Sequence, residues 1–152
     1  MPLNRRNLLL AAALLPVARA AGAQPSAEAV PVHVRKDPSC GCCGGWVEHL
    51  RAAGYPVTVE EMEGDLLADW KARAGVPADL VSCHTAEAGG YLIEGHVPAA
   101  DLARLLAERP AALGLAVPGM PYGAPGMGPE SERDAYDVIL FRADGTSEVW
   151  TA

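Results

Sequence analysis

Aromatic side chains are scarce in this sequence: they make up 5% of 152 residues, with a single phenylalanine. The interior must therefore be filled by Ala, Leu and Val. Basic residues are also few. Twelve Lys and Arg face nineteen Asp and Glu, giving a net charge of −7. That balance excludes nucleic acid as a partner, because phosphate binding needs a basic surface. No phosphate loop, no Ser/His/Asp order and no H-E-x-x-H stretch is present. The acids, Glu60-Glu61-Met62-Glu63 among them, have no spacing that argues paired-carboxylate catalysis and read as a solvated surface. No solenoid-type repeat occurs, and the length suits one domain with a real core.

The N-terminus carries an export pattern. Arg5 and Arg6 form a positive region, residues 8–17 form an apolar run too short to span a bilayer, and Ala18-Arg19-Ala20 and Ala21-Gly22-Ala23 fit small-x-small cleavage sites. Residues 1–23 are thus expected to be a cleaved signal peptide, with 24–29 a polar linker and 30–152 the folded domain. The arginine pair before Asn7-Leu8-Leu9 suggests the twin-arginine route, and an ordinary secretory signal fits as well. Cleavage removes three arginines and no acid, moving the net charge from −7 to −10. No membrane span is expected after processing. Export implies an oxidising compartment, where neighbouring thiols either pair or are held by metal.

Periodicity predicts the order of elements. Alternating valines make 30–36 a strand, which Pro38 stops. Residues 44–53 read as a helix with Trp46, Val47 and Leu50 at core spacing, ended by Gly54. A second strand (56–62) and a second helix follow, capped by Asp65, ended by Gly75, with Leu66, Leu67, Trp70 and Ala74 facing inward. Strand, helix and strand make a βαβ unit with a parallel pair. Gly89-Gly90 signals a hairpin between 85–88 and 91–96, and a third helix runs from Pro98 to Pro110. Residues 118–129 are dominated by proline and glycine and form a long loop with two Pro-Gly-Met repeats. Asp144-Gly145 joins 136–141 to 147–150 in a closing hairpin. The expected order is β-α-β-α-β-β-α, then the loop and the hairpin.

The chemistry concentrates in four cysteines. Cys40, Cys42 and Cys43 fall within four consecutive residues, between a strand and a helix. Free N–H groups and the positive end of the helix dipole stabilise thiolate there. Cys40 and Cys43 have the C-x-x-C spacing of a dithiol redox motif. Cys42 adds a sulfur that a dithiol switch does not need, and extra thiolates are what a soft ion such as Cu(I) seeks. A static disulfide with a spare thiol is the bland alternative. Cys83, followed by His84, sits just before the third strand and is expected to approach the trio. Met120 and Met127, in the loop, either pack onto the body or supply thioether ligands, which suit Cu(I). His49 is too far along its helix from Cys42 to share an ion with it. His33 points out or packs, and His96 reads as a structural hydrogen-bonding residue.

The stretches Asp37-Pro38-Ser39-Cys40-Gly41-Cys42-Cys43-Gly44-Gly45-Trp46-Val47-Glu48-His49-Leu50, Ser82-Cys83-His84-Thr85-Ala86, Tyr91-Leu92-Ile93-Glu94-Gly95-His96-Val97-Pro98 and Gly114-Leu115-Ala116-Val117-Pro118-Gly119-Met120-Pro121 resemble exported metal-binding proteins of the CopG type. That family is associated with bacterial copper resistance and is often described only as a domain of unknown function. The resemblance covers about residues 30–150. It implies an α/β, thioredoxin-like fold, periplasmic location and a cysteine-bridged copper site. The implied ligands are Cys40, Cys42, Cys43, Cys83, His84, Met120 and Met127, holding Cu(I) in more than one ion. Copper ions, and other periplasmic copper-handling proteins, are then the partners, and copper redox activity is a further expectation. Two alternatives stay open: a thiol–disulfide oxidoreductase using Cys40 and Cys43, and a structural or storage zinc site, which leaves the methionines without a role.

Overall fold

Valines at alternate positions bury Val32 and Val34 on one side of strand β1 (Val32–Lys36), and polar residues lie between them. A computed structural model describes residues 30–152, so the expected signal peptide and linker lie outside the described residues. After β1 come α1 (Gly41–Ala52), β2 (Val57–Glu61), α2 (Gly64–Ala74), β3 (His84–Ala88), β4 (Tyr91–Glu94), α3 (Ala99–Glu108), β5 (Gly114–Ala116), a single 3-10 turn (Glu130–Glu132), β6 (Val138–Phe141) and β7 (Ser147–Thr151). The strands form one seven-stranded sheet in the order β2-β1-β3-β4-β5-β6-β7. β1 pairs with β2, and β4 with β5, in parallel; all other neighbours are antiparallel.

Helices cover both faces. Trp46, Val47 and Leu50 of α1 share a core with Leu102 and Leu105 of α3, and with Tyr91, Ile93, Leu115 and Leu140 of the sheet. Leu92, Ala116 and Phe141, the alternate strand positions, pack instead with Trp70 and Ala74 of α2. Successive strand residues point to opposite faces, so α1 and α3 lie on one side of the sheet and α2 on the other. Among the described residues no helix is long and apolar enough to cross a membrane.

Three expectations need correction. Helix α1 begins at Gly41 rather than Gly44, which puts Cys42 and Cys43 in its first turn and Cys40 at its N-cap. The cause is the turn before it. Ser39 donates its N–H (2.8 Å) and hydroxyl (2.5 Å) to Asp37 Oδ1, and the Cys40 N–H bonds Asp37 O at 3.0 Å. The chain therefore reverses in three residues and can enter the helix at once. In α2, Leu66 is 59% exposed and Lys71 is buried. The helix caps at Glu63 rather than Asp65 and buries Leu67 and Lys71, with Trp70 and Ala74 half-buried on the same stripe. Strand β5 escaped the periodicity reading because it is three residues long and begins with glycine. A Cβ on Gly114 would lie 1.8 Å from Leu92 O, so only glycine lets β5 pair with β4 here.

Candidate metal centre

The register of the sheet explains why distant cysteines meet. Lys36, the last residue of β1, pairs with His84, the first of β3. The residues beyond these two ends, Asp37 to Cys40 and Cys83, therefore emerge side by side. The carboxyl ends of β4 and β5 open on the same edge: Gly95 N–H bonds His84 O at 2.9 Å, Val117 N–H bonds Glu94 O at 3.0 Å, and Ser82 bridges to Gly119. Ligand sites in open α/β sheets form outside the carboxyl ends of strands.

At this edge the sulfurs of Cys40, Cys42, Cys43 and Cys83 all lie within 4.8 Å of one another. Cys40 and Cys43 are joined as a disulfide, and Cys42 and Cys83 are free thiols. Cys42 Sγ is 3.6 Å from Cys40 Sγ. Cys83 Sγ also touches two imidazoles, His84 Nδ1 at 3.2 Å and His96 Nε2 at 3.1 Å. Burial, reinforced by the neighbouring Cys42, pushes the Cys83 thiol up to about 12. Burial likewise holds both histidines below their ordinary value, His84 well below it, with His96, Lys71 and Lys36 adding to the effect on His84. Both rings are therefore neutral and offer lone pairs.

Their orientation is fixed from behind. Pro125 O lies 2.7 Å from His96 Nδ1. A carbonyl only accepts, so Nδ1 carries the proton and Nε2 faces Cys83 with its lone pair. His84 packs in a tilted arrangement against Trp46, ring centroids 4.4 Å apart, and the Trp46 indole N–H donates to Val97 O at 2.8 Å. His84 Nε2 is buried with no hydrogen-bond partner.

A buried ion pair clamps the segment that carries Cys83. Glu94, fully buried, accepts from Lys71 Nζ at 2.5 Å, Ser82 N–H at 2.6 Å and Thr85 Oγ1 at 2.5 Å. Lys71 Nζ also donates to Ser82 O at 3.1 Å. Residue 82 is thus held by both backbone groups, and its hydroxyl donates to Gly119 O. Gly95 completes the fit, because a Cβ there would sit 2.6 Å from Ser82 Oγ and from Val117 O.

The long loop lies over the first turn of α1. A Cβ on Gly126 would meet Trp46 N at 2.5 Å and Cys42 O at 3.0 Å, and one on Gly45 would meet Gly126 Cα at 3.0 Å. Two glycines face each other so that loop and helix backbones touch. Met127, next to this contact, is half-buried, and the Met120 side chain is 58% exposed.

The structure thus gathers the four cysteines and His84 and adds His96, which the sequence reading had left as structural. His96 does make the expected hydrogen bond, but only through Nδ1. A signal was present: the Gly89-Gly90 turn pairs Thr85 with Glu94, and counting on from that pair sets position 83 against 96. Lys71 and Glu94 carried no comparable signal. His33 faces Thr58 and Glu60 across β2, and His49 accepts from Ala99 N–H at 3.0 Å, both away from the cysteines.

These donors fit a soft ion. Thiolates select Cu(I) or zinc, and imidazole suits copper and zinc. An apolar hollow of about 410 Å³, lined by residues such as Tyr55 and Leu106, contains none of these side chains.

Comparison with known proteins agrees. Residues 80–127 match the family described as protein of unknown function DUF411. No curated protein matches the chain. Two solved structures do, both of a copper resistance protein CopG. Form 1 is 43% identical, with a TM-score of 0.74 over 80% of this chain and 95% of that one. Form 2 is 44% identical, with a TM-score of 0.73 over 80% and 96%. At that identity and coverage, with the cysteine segments inside a shared mixed α/β fold, the chain belongs to the CopG family of copper resistance proteins.

Proposed function

We propose that this chain is an exported, periplasmic protein that takes up copper as Cu(I) in copper resistance and homeostasis. It holds more than one ion between Cys40, Cys42, Cys43 and Cys83, with His84, Met120 and Met127 completing the shell. One observation carries the reading: four sulfurs from two separate segments lie within 4.8 Å of one another, a spacing at which thiolates bridge soft ions. The copper resistance relatives support it. Residues 1–23 are read as the cleaved signal peptide, 24–29 as linker and 30–152 as a thioredoxin-like domain. The strand order β2-β1-β3-β4, with β3 antiparallel to its neighbours, supports that fold name. Other periplasmic copper-handling proteins are the expected donors and acceptors.

The Cys40–Cys43 disulfide supports copper redox activity. Joining two thiolates as a disulfide releases two electrons, which reduce two Cu(II) to two Cu(I). Metal analysis of anaerobically reduced protein tests the binding reading. Wild type retains copper, and Cys40→Ser and Cys83→Ser each lose it; full retention in both variants defeats the bridging model.

The same disulfide is also the pair that the second reading, a thiol–disulfide oxidoreductase using Cys40 and Cys43, would use. Insulin reduction in the presence of a copper chelator separates the two. Strong turnover without copper supports the second reading, and none supports the first.

A further inference from the structure

With Cys40 and Cys43 joined, two of the four sulfurs are no longer thiolates, and the four-sulfur centre is dismantled. What remains beside them is not a bare thiol. Cys83 Sγ, His84 Nδ1 and His96 Nε2 form a second donor group, overlapping the proposed copper shell at Cys83 and His84, whose atoms lie within 4.8 Å of one another. We propose that Cys83, His84 and His96 form a second metal site, for a divalent ion of the zinc class, that is complete while the Cys40–Cys43 disulfide is in place. This goes beyond the copper reading: it has a different donor set, a different ion and the opposite redox state.

Three observations support the site. The spacing is right: the sulfur is 3.2 Å and 3.1 Å from the two nitrogens. Zinc bonds of about 2.3 Å to sulfur and 2.0 Å to nitrogen, at tetrahedral angles, need roughly 3.5 Å, a difference of a few tenths. The tautomer is right as well. Metal-bound histidines commonly donate their second N–H to a carbonyl, and Pro125 O receives that proton from His96 Nδ1 at 2.7 Å. The third is shielding: the His84 ring is fully buried with Nδ1 turned toward the Cys83 sulfur, so an ion on that edge would be held away from water, while Nε2 keeps no partner with or without it. Cys42, the other free thiol among the described residues, is within 4.8 Å of Cys83 and on hand for the fourth position. One thiolate with two imidazoles is a borderline donor set, which suits zinc better than an all-sulfur site suits it against Cu(I). An ion held there also blocks attack by Cys83 on the adjacent disulfide.

Cobalt(II) is the probe, since a tetrahedral Co(II)–thiolate site absorbs in the visible and near ultraviolet. The protein is used oxidised and without reductant, its two remaining thiols confirmed by titration after denaturation. One equivalent of Co(II) is expected to bind with a sulfur-to-cobalt charge-transfer band, and zinc to displace it. Cys83→Ser abolishes the band, and His96→Gln, its fold checked by circular dichroism, weakens binding at least tenfold. A Cys40→Ser/Cys43→Ser variant binds Co(II) as wild type does, because it keeps all three donors. A Co(II) spectrum that appears only after reduction of wild type, or one unchanged in both Cys83→Ser and His96→Gln, overturns the proposal. Neither result touches copper retention by the reduced protein, so the two readings fail separately.

Discussion

The two halves of the cysteine centre are built by different physics. Cys40, Cys42 and Cys43 sit on a surface turn and the first turn of a helix, held by backbone: an Asp37 turn beneath and the glycines of a loop above. Cys83 sits at the start of a strand and is held by buried charge, the Lys71–Glu94 pair gripping both backbone groups of Ser82. One half carries a Cys40–Cys43 disulfide beside the free thiol of Cys42. The other half presents one sulfur against two rings of fixed orientation. A sulfur trio whose thiols can pair with one another thus faces a single sulfur held in a fixed setting.

The largest effect is expected on the rigid side. Glu94→Leu alone leaves the Lys71 ammonium buried without its partner and costs about 3–5 kcal/mol in denaturant unfolding. Adding Lys71→Met restores most of that stability, because an apolar pair of similar volume fills the space. The double variant still loses the grip on Ser82, so its copper affinity is expected to fall roughly tenfold or more. A single variant as stable as wild type, or a double variant with unchanged copper affinity, would end the distinction between the halves.

On the backbone-held side the expected effects are smaller and of both signs. Gly126→Ala places a Cβ 2.5 Å from Trp46 N at a φ of +86° and should cost about 1–3 kcal/mol. Gly44→Ala, beside Gly45 in α1 but facing open space, meets nothing within 4 Å and should stabilise by about 0.5–1 kcal/mol. Thermal melts of the two variants should therefore move in opposite directions. A shared direction would show that the loop does not rest on α1.

The smallest effect is on pH dependence. His49 ties α1 to α3 by accepting from Ala99 N–H, and burial lowers its pKa from the ordinary 6.5. Above that value both folded and unfolded chains carry a neutral ring. Below it the unfolded chain takes up the proton first, so stability falls as pH drops from about 6.5 toward the lower folded value. His49→Gln keeps an acceptor without the titration, and its stability profile should be flatter over this range. Identical wild-type and variant profiles would remove His49 from the account.

Much of this was legible in the sequence because it is local. Alternating valines, the Gly89-Gly90 turn and Gly75 at a helix end each act within a few residues, and they mark β1, the β3–β4 hairpin and the end of α2. The meeting of Cys83 with the trio followed from the element order. What stayed hidden depends on pairing between distant strands. Strand β5 exists because Gly114 fits against Leu92, and the ion pair exists because α2 passes behind β4. A lysine in a helix reads as surface until its carboxylate is known. His96 lay between these cases, readable only by carrying the hairpin register past its last paired residues.

Copper-edge X-ray absorption of reduced, Cu(I)-loaded protein measures the meeting of the two halves most directly. A sulfur-dominated shell is expected in wild type, with fewer sulfur neighbours and less bound copper in Cys83→Ser. An identical shell and copper content in Cys83→Ser would mean that the trio binds copper by itself and that Cys83 belongs to no shared site.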